Sequence, residues 1–125
     1  MIVVDTSAIV AFLRGEPGQD AVAARLTDAC MSAVSVAELM ARMAKDGLSP
    51  ASTMAHLRDV ALDIVPFDGD QIEIAGTLIG LGRRHGIGLG DCCCIALARV
   101  RGCPVLTADR AWTKLGIKVD IQLIR

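Results

Sequence analysis

Apolar residues in this chain fall into short runs and into stripes at helical spacing, and the two kinds of segment alternate from one end to the other. Ile2, Val3 and Val4 form a β-branched run that stops at Asp5-Thr6-Ser7; Ala8, Ile9, Phe12 and Leu13 then recur with helical period until Arg14-Gly15-Glu16-Pro17-Gly18 breaks the pattern. This predicts strand, cap, helix and loop. A second helix is expected over 19–26 and a short strand over 30–33. A helix capped by Ser35 follows, its stripe of Leu39, Met40 and Met43 ending at Lys45-Asp46-Gly47. The methionines read as core or interface filler.

Ser49-Pro50 opens a further helix to about residue 60, and residues 63–67 read as a third strand. Residues 70–84 form a long helix whose Gly76 and Gly80 are expected to allow close packing on a neighbour. The segment 85–91 is a glycine-rich loop, but it follows a helix, so a dinucleotide-binding turn fails the test of context. It delivers Asp91 to the start of an apolar helix over 92–100. A buried strand over 104–106, a turn or short helix over 110–115 and an alternating edge strand over 118–124 complete the chain. Strands separated by helices predict an α/β fold of three layers, α/β/α, around a mostly parallel sheet of four to five strands.

Composition narrows the picture. The chain has 125 residues, of which 53% are hydrophobic, which suits one compact domain over 1–125. Acidic and basic residues number 14 and 13, so nucleic-acid binding would need a local basic patch rather than an overall field. With no apolar stretch of about 18 residues and no leader-like start, a cytoplasmic location without membrane attachment is the expectation. Five cysteines, three of them consecutive at 92–94, match neither a disulfide framework nor a zinc site, and are expected to be small buried hydrophobes.

Four carboxylates, Asp5, Glu38, Asp91 and Asp109, stand at junctions between elements, where an open α/β sheet gathers its chemistry. Two like charges at contact repel by on the order of 4 kcal/mol at an effective dielectric of ~20, so a bare cluster of four calls for a divalent cation. Two of them have a second explanation. Glu38 stands three residues after Ser35, the spacing of a capping box, and Asp91 suits the first turn of its helix as a cap. Asp5-Thr6-Ser7 and Thr107-Ala108-Asp109 look like counterparts at two strand ends.

Four segments in order, Val3-Val4-Asp5-Thr6-Ser7-Ala8, Ser35-Val36-Ala37-Glu38-Leu39, Gly88-Leu89-Gly90-Asp91 and Val105-Leu106-Thr107-Ala108-Asp109, resemble the successive motifs of PIN domains, and specifically of the VapC toxins of bacterial toxin-antitoxin pairs. The resemblance covers essentially the whole chain. It implies a Mg²⁺- or Mn²⁺-dependent endoribonuclease. Asp5 and Asp91 would be the firmest metal ligands, Glu38 a ligand directly or through water, and Asp109 a ligand or an orienter. It further implies a homodimer and a small VapB-like antitoxin that covers the pocket, in a complex able to bind operator DNA through the antitoxin.

All-oxygen donors favour hard Mg²⁺ or Mn²⁺ over zinc, and His56 and His85 lie outside the motifs and are assigned surface or structural roles. Thr6 and Thr107 are candidates to hold water or substrate, with helix capping as the alternative for each. Arg83, Arg84 and His85 before the loop, with Arg110 and Lys114 after the last acid, are candidates to grip RNA phosphates, and are equally accounted for as solvated helix ends. With Phe12, Phe67 and Trp112 as the only aromatic residues, no stacking platform for bases is expected. Cys92 departs from the family pattern. Two readings from other classes are a catalytically silent PIN-like binding module and a receiver-type phosphoacceptor built on Asp68, Thr107 and Lys114; the second would need paired acids after the first strand, where Asp5 stands alone.

Overall fold

The computed structural model describes residues 1–125. The strands are β1 (Ile2–Val4), β2 (Ala29–Ser32), β3 (Asp63–Val65), β4 (Val105–Thr107) and β5 (Ile121–Leu123). The helices are α1 (Thr6–Arg14), α2 (Gln19–Ala23), α3 (Ala33–Lys45), α4 (Pro50–Asp59), α5 (Gly69–Gly82) and α6 (Leu89–Arg101), with 3-10 turns at Leu26–Asp28, Arg83–His85 and Arg110–Lys114. All four strand pairings are parallel and the order is β3-β2-β1-β4-β5. Parallel neighbours need crossovers, and the helical segments between strands supply them.

Side chains alternate across the sheet. Ile2, Val4 and Met31 pack with Ile9, Val22, Leu39, Met43 and Leu57 from the first four helices; Val3, Cys30, Val65 and Val105 pack on the other face with α5, α6 and Trp112. This is the predicted α/β/α arrangement, with β5 at an edge. The Cys92–Ala98 stretch of α6 is enclosed by α5, α3 and the strands, so it is apolar on every side, and Cys92, Cys93 and Cys94 are all buried as free thiols. Burial pushes the Cys92 thiol up to about 11, which keeps it protonated. No helix is long and apolar enough to cross a membrane.

Three expectations need correction. Ser35 does not cap α3. Ser32 does, its hydroxyl accepting the Val34 amide at 3.3 Å, because β2 runs into the helix without a loop. Gly76 and Gly80 face open space, with nothing within 4 Å of where a Cβ would stand; the face of α5 toward the core carries Ala75, Leu78 and Gly82 instead. α6 also starts earlier than expected, at Leu89, which places Asp91 in its first turn rather than ahead of it.

Candidate active site

The chain fills the sheet from β1 outward to β3, then crosses back through α5 and α6 to lay β4 on the other side of β1. The gap beyond the carboxyl ends of β1 and β4 is therefore a topological switch point, the usual place for a ligand in an open α/β sheet. Asp5 follows β1 directly, anchored by its amide donating to the Leu106 carbonyl of β4 at 2.9 Å. It caps α1 and is only 5% exposed. Burial raises the pKa of its carboxyl above the ordinary value, although hydrogen bonds from Ser7 and Thr107 work the other way.

Asp91 is the group on which the other acids converge. Its carboxyl is pushed up to about 6, by burial first, then by the charge of Asp5, and further by Glu38 and Asp109; the Gly88 amide, donating to its Oδ2 at 3.3 Å, opposes the shift. Burial also raises the Glu38 pKa, helped by the charge of Asp5 and opposed by Arg42 one turn further along α3. Since α3 starts at Ala33, the capping-box role for Glu38 is removed and the side chain is free to face the pocket. Its carboxylate lies against the backbone of Gly90, where a Cβ would overlap it. Asp109 caps the Arg110–Lys114 turn, its Oδ1 accepting the Ala111 amide at 2.9 Å.

As they stand, no three acidic, histidine or cysteine side chains are gathered closely enough to ligate one ion. The donor set itself is all carboxylate oxygen, which fits a hard divalent cation and argues against zinc.

The PIN domain family matches residues 2–118. The chain belongs to it. A ribonuclease VapC of Mycolicibacterium smegmatis is 32% identical over 120 residues, covering 89% of this chain and 93% of that one. Among solved structures, FitAcB from Neisseria gonorrhoeae superimposes with a TM-score of 0.71 at 26% identity, covering 98% of this chain and 96% of that one. VapBC2 from Rickettsia felis, solved bound to a fragment of its promoter DNA, reaches 0.76 at 16% identity with 98% of each chain covered, a likeness of fold. The four short motifs of the chain are thus those of a VapC-type PIN ribonuclease family.

In this PIN domain the basic candidates also come together. The Arg83–His85 turn contacts the Arg110–Lys114 turn, which brings Arg83, Arg84 and Arg110 into one neighbourhood of the surface. All three are exposed and, like Lys114, form no ion pair. Thr6 is placed differently from expectation. It is buried and its hydroxyl donates to the Ser35 carbonyl at 3.0 Å, tying α1 to α3 rather than facing the pocket. Asp68 follows β3, three strands from β4, or roughly 14 Å at the usual strand spacing, and is thus separated from Thr107 and Lys114 as a receiver site would not be. Ser7, Gly90 and Arg42 were not singled out from sequence. Only Arg42 carries a signal there, its helical spacing from Glu38.

Gly90→Ala tests the packing of Glu38. Alanine in a helix ordinarily stabilises by about 0.5–1 kcal/mol over glycine. Here the new methyl must displace the Glu38 carboxylate, so we expect thermal stability unchanged or higher with RNA cleavage at least roughly tenfold slower. Wild-type cleavage by the variant would show that the place of Glu38 is immaterial.

Proposed function

We propose that this PIN domain, acting as a single unit over 1–125, is the endoribonuclease toxin of a toxin-antitoxin pair, hydrolysing RNA phosphodiester bonds at the Asp5, Glu38, Asp91 and Asp109 pocket with Mg²⁺ or Mn²⁺. The observation that supports this reading is geometric: Asp5 and Asp109 follow the carboxyl ends of β1 and β4 at the switch point, and the Glu38 carboxylate lies against Gly90, the residue before Asp91. Asp5 and Asp91 would hold the cation most directly, with Glu38 beside them and Asp109 as ligand or orienter. When bound there, the cation supplies positive charge for the phosphate and acidifies a water. The acids create the negative field that selects a divalent ion. Burial of Asp5 keeps bulk water off it, and the helix starts at Thr6 and Leu89 fix two acids on rigid elements.

Because neither histidine lies in a motif at the pocket, water rather than the ribose hydroxyl is the nucleophile, and a 2′-deoxy substitution at the scissile nucleotide leaves cleavage intact. Antitoxin-free protein incubated with total RNA should cleave it with Mg²⁺ or Mn²⁺ and stop with chelator; equal cleavage in both conditions would sink the proposal. Arg83, Arg84 and Arg110 hold RNA phosphates on this reading. Each lost phosphate contact on single-stranded RNA lowers the slope of log affinity against log salt by about 0.7, so Arg83→Ala with Arg84→Ala should lower it by about 1.4 in fluorescence anisotropy. An unchanged slope would return these side chains to the solvated surface.

A VapB-like antitoxin is the proposed partner, supported by the fold shared with antitoxin-bound structures, and through it the complex would bind operator DNA. A homodimer is proposed as well. Ile72, Leu81 and Leu89 remain more than half or about half exposed, at 59%, 50% and 61%, and are available for burial.

A further inference from the structure

We propose that Ser7 and Thr107 are positioning residues that hold Asp5 by one carboxylate oxygen and leave the other to a divalent cation. The inference rests on the reading of the four acids as a cation pocket, and it concerns which atom of Asp5 does the binding.

Three hydrogen bonds to the Asp5 carboxylate end on Oδ2, from the Ser7 hydroxyl at 2.6 Å, the Thr107 hydroxyl at 2.9 Å and the Ser7 amide at 3.3 Å, and the Thr6 amide adds a further stabilising contact to the carboxyl. Each hydroxyl is itself approached by a backbone N–H. Ala108 donates to Ser7 Oγ at 3.0 Å, and Asp109 donates to Thr107 Oγ1 at 3.0 Å. A serine or threonine hydroxyl has one proton, and a carboxylate can only accept. The two hydroxyl oxygens are 3.2 Å apart, close enough to bond each other, but the ionised oxygen is the stronger acceptor and draws both protons.

Oδ2 is thereby surrounded by three donors and turned away from further ligands. Oδ1 is not sealed off, because the fully buried side-chain atoms that lack a partner are Thr53 Oγ1, Gln71 Oε1 and Trp112 Nε1 alone. Asp5 thus offers a cation one oxygen, in one orientation. The same two hydroxyls join the end of β1 to the end of β4, since the amides of Ala108 and Asp109 hang from them. Asp5 and Asp109 are held in mutual register by these two side chains.

The test is Mn²⁺ binding to metal-free protein, followed by the spin-resonance signal of the free ion, with metal-free thermal midpoints recorded in parallel. Wild type should bind and Asp5→Asn should not. Ser7→Ala and Thr107→Val should each weaken binding about tenfold, or ~1.4 kcal/mol. Thr107→Ser, which keeps the donor, should stay within about twofold of wild type, and this pair carries the test alone if Ser7→Ala unfolds. A purely structural role would lower the metal-free midpoint and leave Mn²⁺ affinity where it was, which overturns the inference while the cation pocket stands. Absence of binding in wild type, or binding untouched by Asp5→Asn, overturns the pocket itself.

Discussion

Asp5→Asn is expected to lower RNA cleavage by at least about 10²-fold while the fold stays as stable as wild type or gains stability. The two effects have separate causes. Asn caps a helix about as well as Asp and still offers an oxygen to the Ser7 amide and to the Ser7 and Thr107 hydroxyls. What it removes is a charge whose burial is unfavourable, as the raised carboxyl pKa records. Asp5→Ala should be equally inactive but less stable by about 1 kcal/mol or more, because it also removes the cap and the acceptor of the Ser7 and Thr107 hydroxyls. A further consequence separates an electrostatic role from a steric one. Asp5 is the largest charge raising the Asp91 pKa, so in Asp5→Asn the Asp91 carboxyl, followed by NMR titration, should titrate below about 6. Retained cleavage in Asp5→Asn would remove the acid pocket from the mechanism.

Much of this was legible in the chain because local signals and tertiary demands agree. Ile2 to Val4 ends where Asp5 caps α1, Ser49-Pro50 opens α4, and Asp109 closes β4 as Asp5 closes β1. The difficulties arise where two residues of one type compete. Ser32 and Ser35 both have the side chain of a cap, and Ser35 has the capping-box partner, yet the register of β2 on β3, with Ser32 opposite Val65, ends the strand at Ser32, three residues before Ser35. That contest is settled by pairing between distant segments, which no local spacing contains. It also decided the standing of Glu38, since an acid six positions into α3 has no capping work. Gly76 and Gly80 illustrate the same limit: a spacing that permits close approach does not say whether a neighbour comes. Ser7 escaped notice because its importance lies in Ala108 and Thr107, 101 and 100 residues away.

In the metal-free protein, thermal stability is expected to fall as pH rises from 5 to 7.5, the reverse of ordinary acid denaturation. The unfolded chain protonates Asp near 3.9, whereas folded Asp91 does so at about 6, and Asp5 and Glu38 are shifted in the same direction. Between those values the folded state binds more protons than the unfolded one, so the contribution is fully present below about 4 and is lost as pH rises through 6. For Asp91 the difference is on the order of 1–2 kcal/mol once discounted for the solvent that reaches this half-exposed carboxyl. Asp28 acts with the opposite sign, its carboxyl held low by the amino terminus first, but its effect lies at more acid pH and leaves the window clear. Asp91→Asn should flatten most of the slope. Mn²⁺ should invert it, because a cation bound only to the folded state stabilises by about 2.7 kcal/mol at a hundred times its Kd, and protons compete with it as pH falls. Scanning calorimetry at pH 5, 6 and 7.5, with and without Mn²⁺, separates the cases. A flat metal-free midpoint across that range would mean that these carboxyls are not held above their unfolded values, by burial first and by one another second.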